Sequence, residues 1–300
     1  MNFNIEKVCG IVVPIITPLI KDQSIDESSL IGIVNHLIEA GVHGIFANST
    51  TGEGPCLPDT DKKLVLKIIV EQVKNRVPVY AGVSDTSSKR TLNNIAQAED
   101  LGADFIVAHP PFYFPPNSQE ELYMYFEQIV HASSKPVLLY NIPFTTQAPI
   151  ALETIKQLLD FEKIIGIKDS SVDYVFLQNL IELKNIRKDF KIFIGKTHMW
   201  AAGVLSGADG GLDGISNVIP EKCVELYRRI KNEMKDVFIL QREINEIFRI
   251  YECRSFLGGI KAAMSLMGLC NPYTMHPILM ASPDEVKRIK NILIEWGILS

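Results

Sequence analysis

Lys168 stands where a chemically reactive amine would be placed. It follows the apolar run at residues 164–167 and precedes Asp169, so the pattern predicts an amine at the mouth of a buried strand. Burial disfavours the ammonium form of a lysine, which lowers its pKa and leaves more free amine to attack a ketone. The residue therefore predicts a Schiff base with a carbonyl substrate. The alternative is a solvated lysine at a strand end that faces Asp169, since most lysines are surface charges.

Two threonines, Thr50 and Thr51, follow soon after another apolar run at residues 45–47. Their hydroxyls and the free backbone N–H groups would meet at the N-terminus of the next helix, which is a binding site for a carboxylate. Gly52 comes next and lets a ligand approach the backbone closely. The alternative is an ordinary Ser/Thr helix cap that binds no ligand.

Tyr140 ends the apolar run at residues 137–139, so we expect its phenol at the same edge of the sheet as Lys168. There it can pass protons to and from a carbinolamine or a sugar hydroxyl. The alternative is a structural tyrosine that hydrogen-bonds into the wall of the protein. Tyr113 lies in an aromatic, proline-rich loop at residues 110–116. Loops of this kind more often pack or form a subunit interface than take part in chemistry, and both roles stay open for Tyr113.

His109 and His198 also fall near strand ends, as the ligands of a metal-dependent aldolase would. Such a site needs carboxylates or further histidines at ligand spacing. The sequence has no His-x-His pair or comparable cluster. It predicts neither a metal nor a cofactor.

Composition limits the partners. The 300 residues are 47% hydrophobic and 22% charged, and a formal net charge of −5 gives no electrostatic basis for binding nucleic acid. The apolar segment at residues 8–20 contains Pro14 and Pro18 and is too short to span a membrane. Five scattered cysteines without a Cys-x-x-Cys pair indicate reduced thiols. We expect a cytoplasmic protein that binds small molecules and neither nucleic acid nor a membrane.

The elements that must position these residues alternate along the chain. Amphipathic segments with apolar residues three and four positions apart separate eight short apolar runs. The runs span residues 11–16, 44–47, 79–82, 105–108, 137–140, 164–168, 192–195 and 210–212. Eight strand–helix units predict an α/β protein with a closed (β/α)8 (TIM) barrel, in which the carboxyl ends of the strands gather the chemistry at one rim. A doubly wound open sheet is the alternative.

The strand pattern stops near residue 220. Beyond it, apolar stripes predict helices at residues 221–235, 237–251, 260–267 and 283–296. We therefore predict a catalytic barrel over residues 1–232 and a C-terminal helical domain over residues 233–300.

Three ordered motifs give the chain a family resemblance. Thr-Thr-Gly-Glu at 50–53, Tyr-Asn-Ile-Pro at 140–143 and Gly-Ile-Lys-Asp at 166–169 lie at the ends of the second, fifth and sixth predicted strands. In this order they resemble the dihydrodipicolinate synthase / N-acetylneuraminate lyase family, and the resemblance covers nearly the whole chain. It implies a class I, metal-independent aldolase or lyase in a (β/α)8 barrel. Pyruvate is then the shared donor or product, and the usual assembly is a homotetramer built from two tight dimers.

The resemblance also implies a role for each matching residue. Lys168 would form the imine with the C2 carbonyl of pyruvate, and Tyr140 would relay the proton. Thr50 and Thr51 would hold the carboxylate of pyruvate. Tyr113 matches a tyrosine that reaches across the tight dimer into the neighbouring site. All five residues are present at the matching positions.

Four further positions match substrate-binding ones in the family: Gly52, Thr145, Gly195 and Leu212. The resemblance places the backbone carbonyl of Leu212 against pyruvate. Dihydrodipicolinate synthases carry an arginine where Thr145 stands, and a threonine cannot supply the charged, bidentate grip of a guanidinium. An acidic pair is expected after Gly195, where this chain has Lys-Thr-His at 196–198.

Other departures bear on the substrate. Residues 213–217 differ from the sialate lyase pattern, whereas residues 52–57 and 216–221 are similar to archaeal-type 2-keto-3-deoxygluconate aldolases. We therefore predict cleavage or formation of a 2-keto-3-deoxy sugar acid from pyruvate and a hydroxyaldehyde. The alternative is a 4-hydroxy-tetrahydrodipicolinate synthase that condenses pyruvate with aspartate semialdehyde and uses Lys196 or His198 as its anion contact. Outside this class, a metal-dependent aldolase or a non-catalytic binding protein would keep the barrel.

Overall fold

Eight parallel strands close into a barrel in the computed structural model, which describes residues 8–300. The strands are β1 (Gly10–Pro14), β2 (Gly44–Ala47), β3 (Val79–Gly82), β4 (Phe105–Ala108), β5 (Val137–Asn141), β6 (Ile164–Asp169), β7 (Lys191–Ile194) and β8 (Gly210–Gly211). Each strand pairs in parallel with the next one along the chain, and β8 pairs with β1. The predicted (β/α)8 barrel is confirmed, and the open doubly wound sheet is excluded.

Both faces of the strands are largely buried, which explains their mostly apolar sequence. Alternate residues point to the barrel interior and to the surrounding helices. In β5, Leu138 and Tyr140 lie in the interior cluster, whereas Leu139 belongs to the layer under the helices. Closure of the barrel requires a residue without a side chain, because a Cβ on Gly210 would lie 1.9 Å from the carbonyl oxygen of Gly10.

Helices surround the barrel and continue beyond it. The helices between strands are α1 (Glu27–Glu39), α2 (Asp59–Val73), α3 (Ser88–Asp100), α4 (Gln119–Ala132), α5 (Pro143–Thr146), α6 (Leu152–Leu158), α7 (Tyr174–Glu182) and α8 (Trp200–Leu205). After β8 come α9 (Pro220–Lys231), α10 (Val237–Ile247), α11 (Phe256–Leu266) and α12 (Pro283–Glu295). Within residues 8–300, no helix is long and apolar enough to cross a membrane.

The four C-terminal helices exist as predicted but with different bounds. α9 ends at Lys231, and residues 248–251 form a 3-10 turn that follows α10. α11 begins at Phe256 because the Ser255 side chain caps it by accepting a hydrogen bond from the N–H of Gly258. The apolar stripe missed this first turn because its glycines present no side chain to the pattern. The predicted domain boundary after residue 232 falls in the link between α9 and α10, and it stays a prediction.

Candidate active site

The lysine near the end of β6 is buried inside the rim of the barrel. Lys168 is 4% exposed, and its Nζ lies 4.0 Å from the ring centroid of Tyr140 and 5.6 Å from that of Phe46. The neighbouring Asp169 accepts hydrogen bonds from the side chains of Asn141 (2.7 Å) and Ser171 (2.8 Å). The alternative of a solvated lysine that faces Asp169 is therefore wrong.

Burial also sets the protonation of Lys168. Loss of hydration lowers the pKa of Lys168 to about 7, and the carboxylate of Asp213 opposes this shift. Near neutral pH a large share of the side chain is the free amine, which is the form that attacks a carbonyl carbon.

We expect imine formation with pyruvate to become faster as the pH rises through about 7, the pKa of Lys168. Below this pH the ammonium form has no lone pair, and above it the amine is free, so the rate should level off about one pH unit higher. Samples mixed with pyruvate at each pH would be quenched into borohydride at one fixed pH, and the adduct measured by intact mass. A midpoint near 10.5, the ordinary lysine value, would show instead that Lys168 is hydrated.

Tyr140 lies directly beside Lys168. The two residues are register partners across β5 and β6, so both side chains project from the same face at the same height. Burial raises the pKa of Tyr140 well above its ordinary value, and hydrogen bonds with Ser170 and Thr50 oppose that rise. The phenol therefore stays protonated, with a hydrogen to donate and an oxygen that accepts. This arrangement suits a group that passes a proton between the amine and a hydroxyl.

The turn that carries Thr50 and Thr51 is not a helix N-terminus. α2 begins only at Asp59, after a 3-10 turn at Gly54–Cys56, so that part of the prediction is wrong. Pro55 and Pro58, which interrupt a helix at this point, were the sequence signal for the later start.

Free backbone donors are nevertheless present in this turn. Ser49 Oγ accepts from the N–H of Gly52 (3.1 Å), and the N–H of Glu53 donates to the carbonyl oxygen of Thr50 (3.1 Å). The N–H groups of Thr50 and Thr51 make no hydrogen bond with residues 8–300. Both threonines line the same cavity as Lys168, so these two donors are available to a carboxylate there.

Gly52 serves the fold and does not line this cavity. A Cβ at this position would lie 2.7 Å from the carbonyl oxygen of Ile15, and the Gly52 carbonyl oxygen accepts from Thr17 Oγ1 at 2.6 Å. The glycine is therefore needed for close contact with the segment that follows β1, which corrects its predicted role toward a ligand.

A cavity of about 210 Å³ gathers most of the predicted residues. Its lining includes Thr50, Thr51, Tyr140, Lys168, Gly195 and Leu212. Gly195 allows close packing against the lysine side chain, because a Cβ there would lie 1.9 Å from Ser170 Oγ and 3.1 Å from Lys168 Cε. Four aromatic residues also line it: Phe144, Phe248, Tyr251 and Phe256.

Tyr113 and Thr145 do not reach Lys168 within one chain. Tyr113 is 80% exposed and packs edge-to-face on Phe114, which is 79% exposed. Thr145 lines a second cavity, mostly apolar and also about 210 Å³, that shares Thr50 with the first. The hydroxyl of Thr145 donates to the carbonyl oxygen of Ile142 at 3.2 Å.

Sequence reasoning missed three polar residues that line the cavity: Ser170, Asp213 and Tyr251. Ser170 directly follows β6 and Asp213 comes two residues after β8, and polar residues at these strand ends were a usable signal. Tyr251 ends the 3-10 turn after α10 and had no such signal. Lys196, considered as an anion contact, also lines the cavity, whereas His198 packs on the ring of Phe248 at 4.6 Å.

His109 is neutral and held by its neighbour. Burial lowers the pKa of His109 to about 4, and its Nδ1 lies 2.7 Å from the carbonyl oxygen of Pro110, to which it donates. Among residues 8–300, no three His, Cys, Asp or Glu side chains are grouped as metal ligands.

Known proteins are similar to this chain over nearly its whole length. The model of the dihydrodipicolinate synthetase family matches residues 7–295. An uncharacterized DapA-like lyase of Thermococcus onnurineus is 34% identical, covering 95% of this chain and 98% of that protein. A 4-hydroxy-tetrahydrodipicolinate synthase of Methanopyrus kandleri is 32% identical, covering 100% and 99%. The solved structure of YagE, a prophage protein of the dihydrodipicolinic acid synthase family from E. coli K12 in complex with pyruvate, is 26% identical with a TM-score of 0.94, covering 97% and 99%.

A closed barrel that gathers a buried lysine, a tyrosine and free backbone N–H groups at the carboxyl ends of its strands has the architecture of a barrel enzyme. The chain belongs to the dihydrodipicolinate synthetase family, and it is a carbon–carbon lyase.

Proposed function

We propose that this protein is a class I aldolase that uses pyruvate and cleaves or forms a 2-keto-3-deoxy sugar acid. One observation carries the proposal: the buried amine of Lys168, with a pKa of about 7, shares a cavity with Tyr140 and the free N–H groups of Thr50 and Thr51. A nucleophile, a proton carrier and a carboxylate site are the three groups that imine chemistry on a keto acid needs. The pyruvate complex of the similar protein YagE supports the choice of keto acid.

In the proposed mechanism, each step has its own residue. The carboxylate of pyruvate binds the N–H groups of Thr50 and Thr51, and Lys168 Nζ attacks C2. Tyr140 donates its proton to the departing hydroxyl, so water leaves and an iminium remains. The cationic nitrogen withdraws electrons, so the methyl group releases a proton to the Tyr140 phenolate and becomes the enamine carbon. This carbon attacks the aldehyde, and the alkoxide that forms takes the proton back from Tyr140. Water then hydrolyses the product imine and restores the amine, and cleavage runs through the same steps in reverse.

The cavity favours a hydroxylated aldehyde. Lys168, Lys196 and Asp213 are the charged side chains among the described residues that line it, and no arginine does so. The position at which synthases of the family carry arginine is Thr145, whose hydroxyl donates to a backbone carbonyl in the neighbouring cavity. A guanidinium clamp for a second carboxylate is therefore missing from this position.

Aspartate semialdehyde is the second candidate aldehyde, and Lys196 favours it. Lys196 lines the cavity, and its Nζ lies 5.1 Å from the ring centroid of Phe144, so a cation at the cavity wall is available to an anionic group. The 4-hydroxy-tetrahydrodipicolinate synthase of Methanopyrus kandleri, 32% identical, supports this alternative.

The two aldehydes can be compared directly. At saturating pyruvate, we expect kcat/KM for glyceraldehyde to exceed that for aspartate semialdehyde by roughly 10-fold or more, since the second carboxylate finds no bidentate partner. The Lys196→Met variant should leave the glyceraldehyde reaction in place. A reversed preference that disappears in Lys196→Met would instead establish the synthase activity.

The assembly and location form part of the same proposal. Exposed aromatic and aliphatic side chains suit subunit contacts in a homotetramer: Tyr113 and Phe114 in the β4–α4 loop, and Val172 and Val175 near the start of α7. Tyr113 of one subunit would complete the site of its neighbour beside Thr50. The five free cysteines agree with a reducing, cytoplasmic location.

A further inference from the structure

We infer that Tyr251 is a specificity-determining residue that accepts a hydrogen bond from a hydroxyl of the aldehyde, and that Asp213 is the positioning residue that gives it this role. The inference rests on the proposed aldolase function and adds the kind of group that the aldehyde must present. It starts from the hydrogen-bond partners of Asp213 at the end of β8.

Asp213 is 9% exposed, and its carboxylate already has four donors. The backbone N–H and the hydroxyl of Thr197 donate to Oδ2 at 3.0 and 2.7 Å. The N–H of Gly214 and the hydroxyl of Tyr251 donate to Oδ1 at 2.6 and 3.3 Å. Two carboxylate oxygens offer about four acceptor positions. A substrate hydroxyl therefore finds no free acceptor on Asp213 itself.

The direction of the hydrogen bond between Tyr251 and Asp213 follows from the same count. A carboxylate only accepts, so the hydrogen of the Tyr251 phenol is committed to Asp213. Burial, followed by the charge of Asp213, raises the pKa of Tyr251 well above its ordinary value, so the phenol keeps that hydrogen. The Tyr251 oxygen then offers only lone pairs to the cavity. A ligand that meets it must donate, as a hydroxyl does and a carboxylate does not.

Residues 233–300, which we call the C-terminal extension, hold Tyr251 in position. Its ring lies 4.0 Å from the ring of Phe248 and 5.9 Å from that of Phe256, centroid to centroid. Its oxygen lies over Gly214, where a Cβ would come within 2.7 Å of it.

α10 holds the other side of this arrangement. Gln241 Nε2 donates to the carbonyl oxygen of Thr197 at 3.0 Å, and the N–H of Ala201 donates to Gln241 Oε1 at 2.9 Å. Thr197, which supplies two of the four donors to Asp213, is therefore tied to the extension as well. A fixed acceptor at a defined place discriminates between hydroxylated and deoxygenated ligands.

Three aldehydes of the same length test this role. Glyceraldehyde carries hydroxyls on C2 and C3, 3-hydroxypropanal lacks the first, and lactaldehyde lacks the second. In the unaltered protein at saturating pyruvate, kcat/KM for one of the two deoxygenated aldehydes should fall roughly 10-fold below that for glyceraldehyde, the loss of one hydrogen bond. The ratio of kcat/KM for glyceraldehyde to kcat/KM for that deoxygenated aldehyde is then about 10 in the unaltered protein, and in Tyr251→Phe this ratio should approach 1. A ratio in Tyr251→Phe equal to that of the unaltered protein overturns the inference.

A second variant separates hydrogen bonding from packing. Asp213→Asn keeps the shape of the side chain but adds an N–H donor that can occupy the Tyr251 oxygen, so the same ratio should fall although Tyr251 is intact. Tyr174→Phe is the matched control, because it removes a phenol that hydrogen-bonds to Ser206 (2.9 Å) outside the cavity, and its ratio should not change.

Trapping with pyruvate and borohydride distinguishes failure of the aldolase function from failure of the role of Tyr251. An adduct in every variant together with an unchanged ratio in Tyr251→Phe and Asp213→Asn overturns the role of Tyr251 and leaves the aldolase function standing. No adduct on the unaltered protein overturns the aldolase function and, with it, this inference. Thermal unfolding of each variant shows whether a changed kcat/KM ratio is caused by misfolding of the variant.

Discussion

Replacing Lys168 with alanine is expected to abolish the borohydride-stable pyruvate adduct and to lower kcat/KM by about 10³-fold or more, because the nucleophilic amine that forms the imine is removed. The amine is buried beside Tyr140 and carries the lowered pKa that a nucleophile needs at neutral pH. Intact-mass analysis after reduction measures the adduct, and steady-state kinetics with glyceraldehyde and pyruvate measures the rate.

Two controls make the Lys168→Ala result specific. Lys196→Ala removes the other lysine of the cavity and should keep the adduct, since Lys196 lies at the aromatic edge near Phe144. Peptide mapping of the unaltered protein should place the adduct on Lys168. An adduct mapped to Lys261, the second buried lysine, or retained in Lys168→Ala, would contradict the proposed mechanism.

Local sequence patterns were sufficient to predict the barrel and to bring Lys168 and Tyr140 together at its rim. Lys168 and Tyr140 follow apolar runs, and parallel strand pairing brings the ends of such runs together at one rim. The bounds of β2, β3 and β4 were predicted to the residue because each strand is a short apolar run that is buried on both faces.

The roles of Tyr251 and Gly52 depend on contacts between distant parts of the chain. Tyr251 reaches the cavity from a 3-10 turn beyond the barrel, and its role depends on the donors that surround Asp213. Gly52 was interpreted as a place for a ligand, but its neighbour is the backbone at Ile15. Neither partner is near in sequence, so no local pattern could have indicated it.

A buried ion pair joins the threonine turn to the C-terminal extension. Glu53 and Lys261 are 1% and 0% exposed and contact each other through their charged groups. Glu53 Oε2 also accepts from the N–H of Met275 (2.6 Å), and Lys261 Nζ donates to the carbonyl oxygen of Tyr273 (2.8 Å). Burial lowers the pKa of Lys261, and Glu53 opposes that shift. Each charge therefore depends on the other for its stability in the interior.

Replacing one member of this pair should destabilise the protein more than the substitutions at the cavity do. Glu53→Gln or Lys261→Met leaves an uncompensated buried charge, and we expect the free energy of unfolding to fall by about 3–5 kcal/mol. Urea unfolding followed by circular dichroism measures the change. Glu53 follows Thr50 and Thr51 closely in sequence, so Glu53→Gln should also raise KM for pyruvate, because its one amide oxygen cannot accept from both Met275 and Lys261 and the turn is held less firmly.

The double variant Glu53→Gln with Lys261→Met separates the net worth of the pair from the penalty of an unpaired charge. It removes both charges, so its loss of stability should be smaller than the sum of the two single losses by about 2 kcal/mol or more. The exposed pair Lys156–Glu153, at 2.8 Å, is the matched control, because surface ion pairs contribute about 0–1 kcal/mol. Additive losses in the double variant would show that Glu53 and Lys261 stabilise the protein independently, through their backbone partners at Met275 and Tyr273 and not through each other.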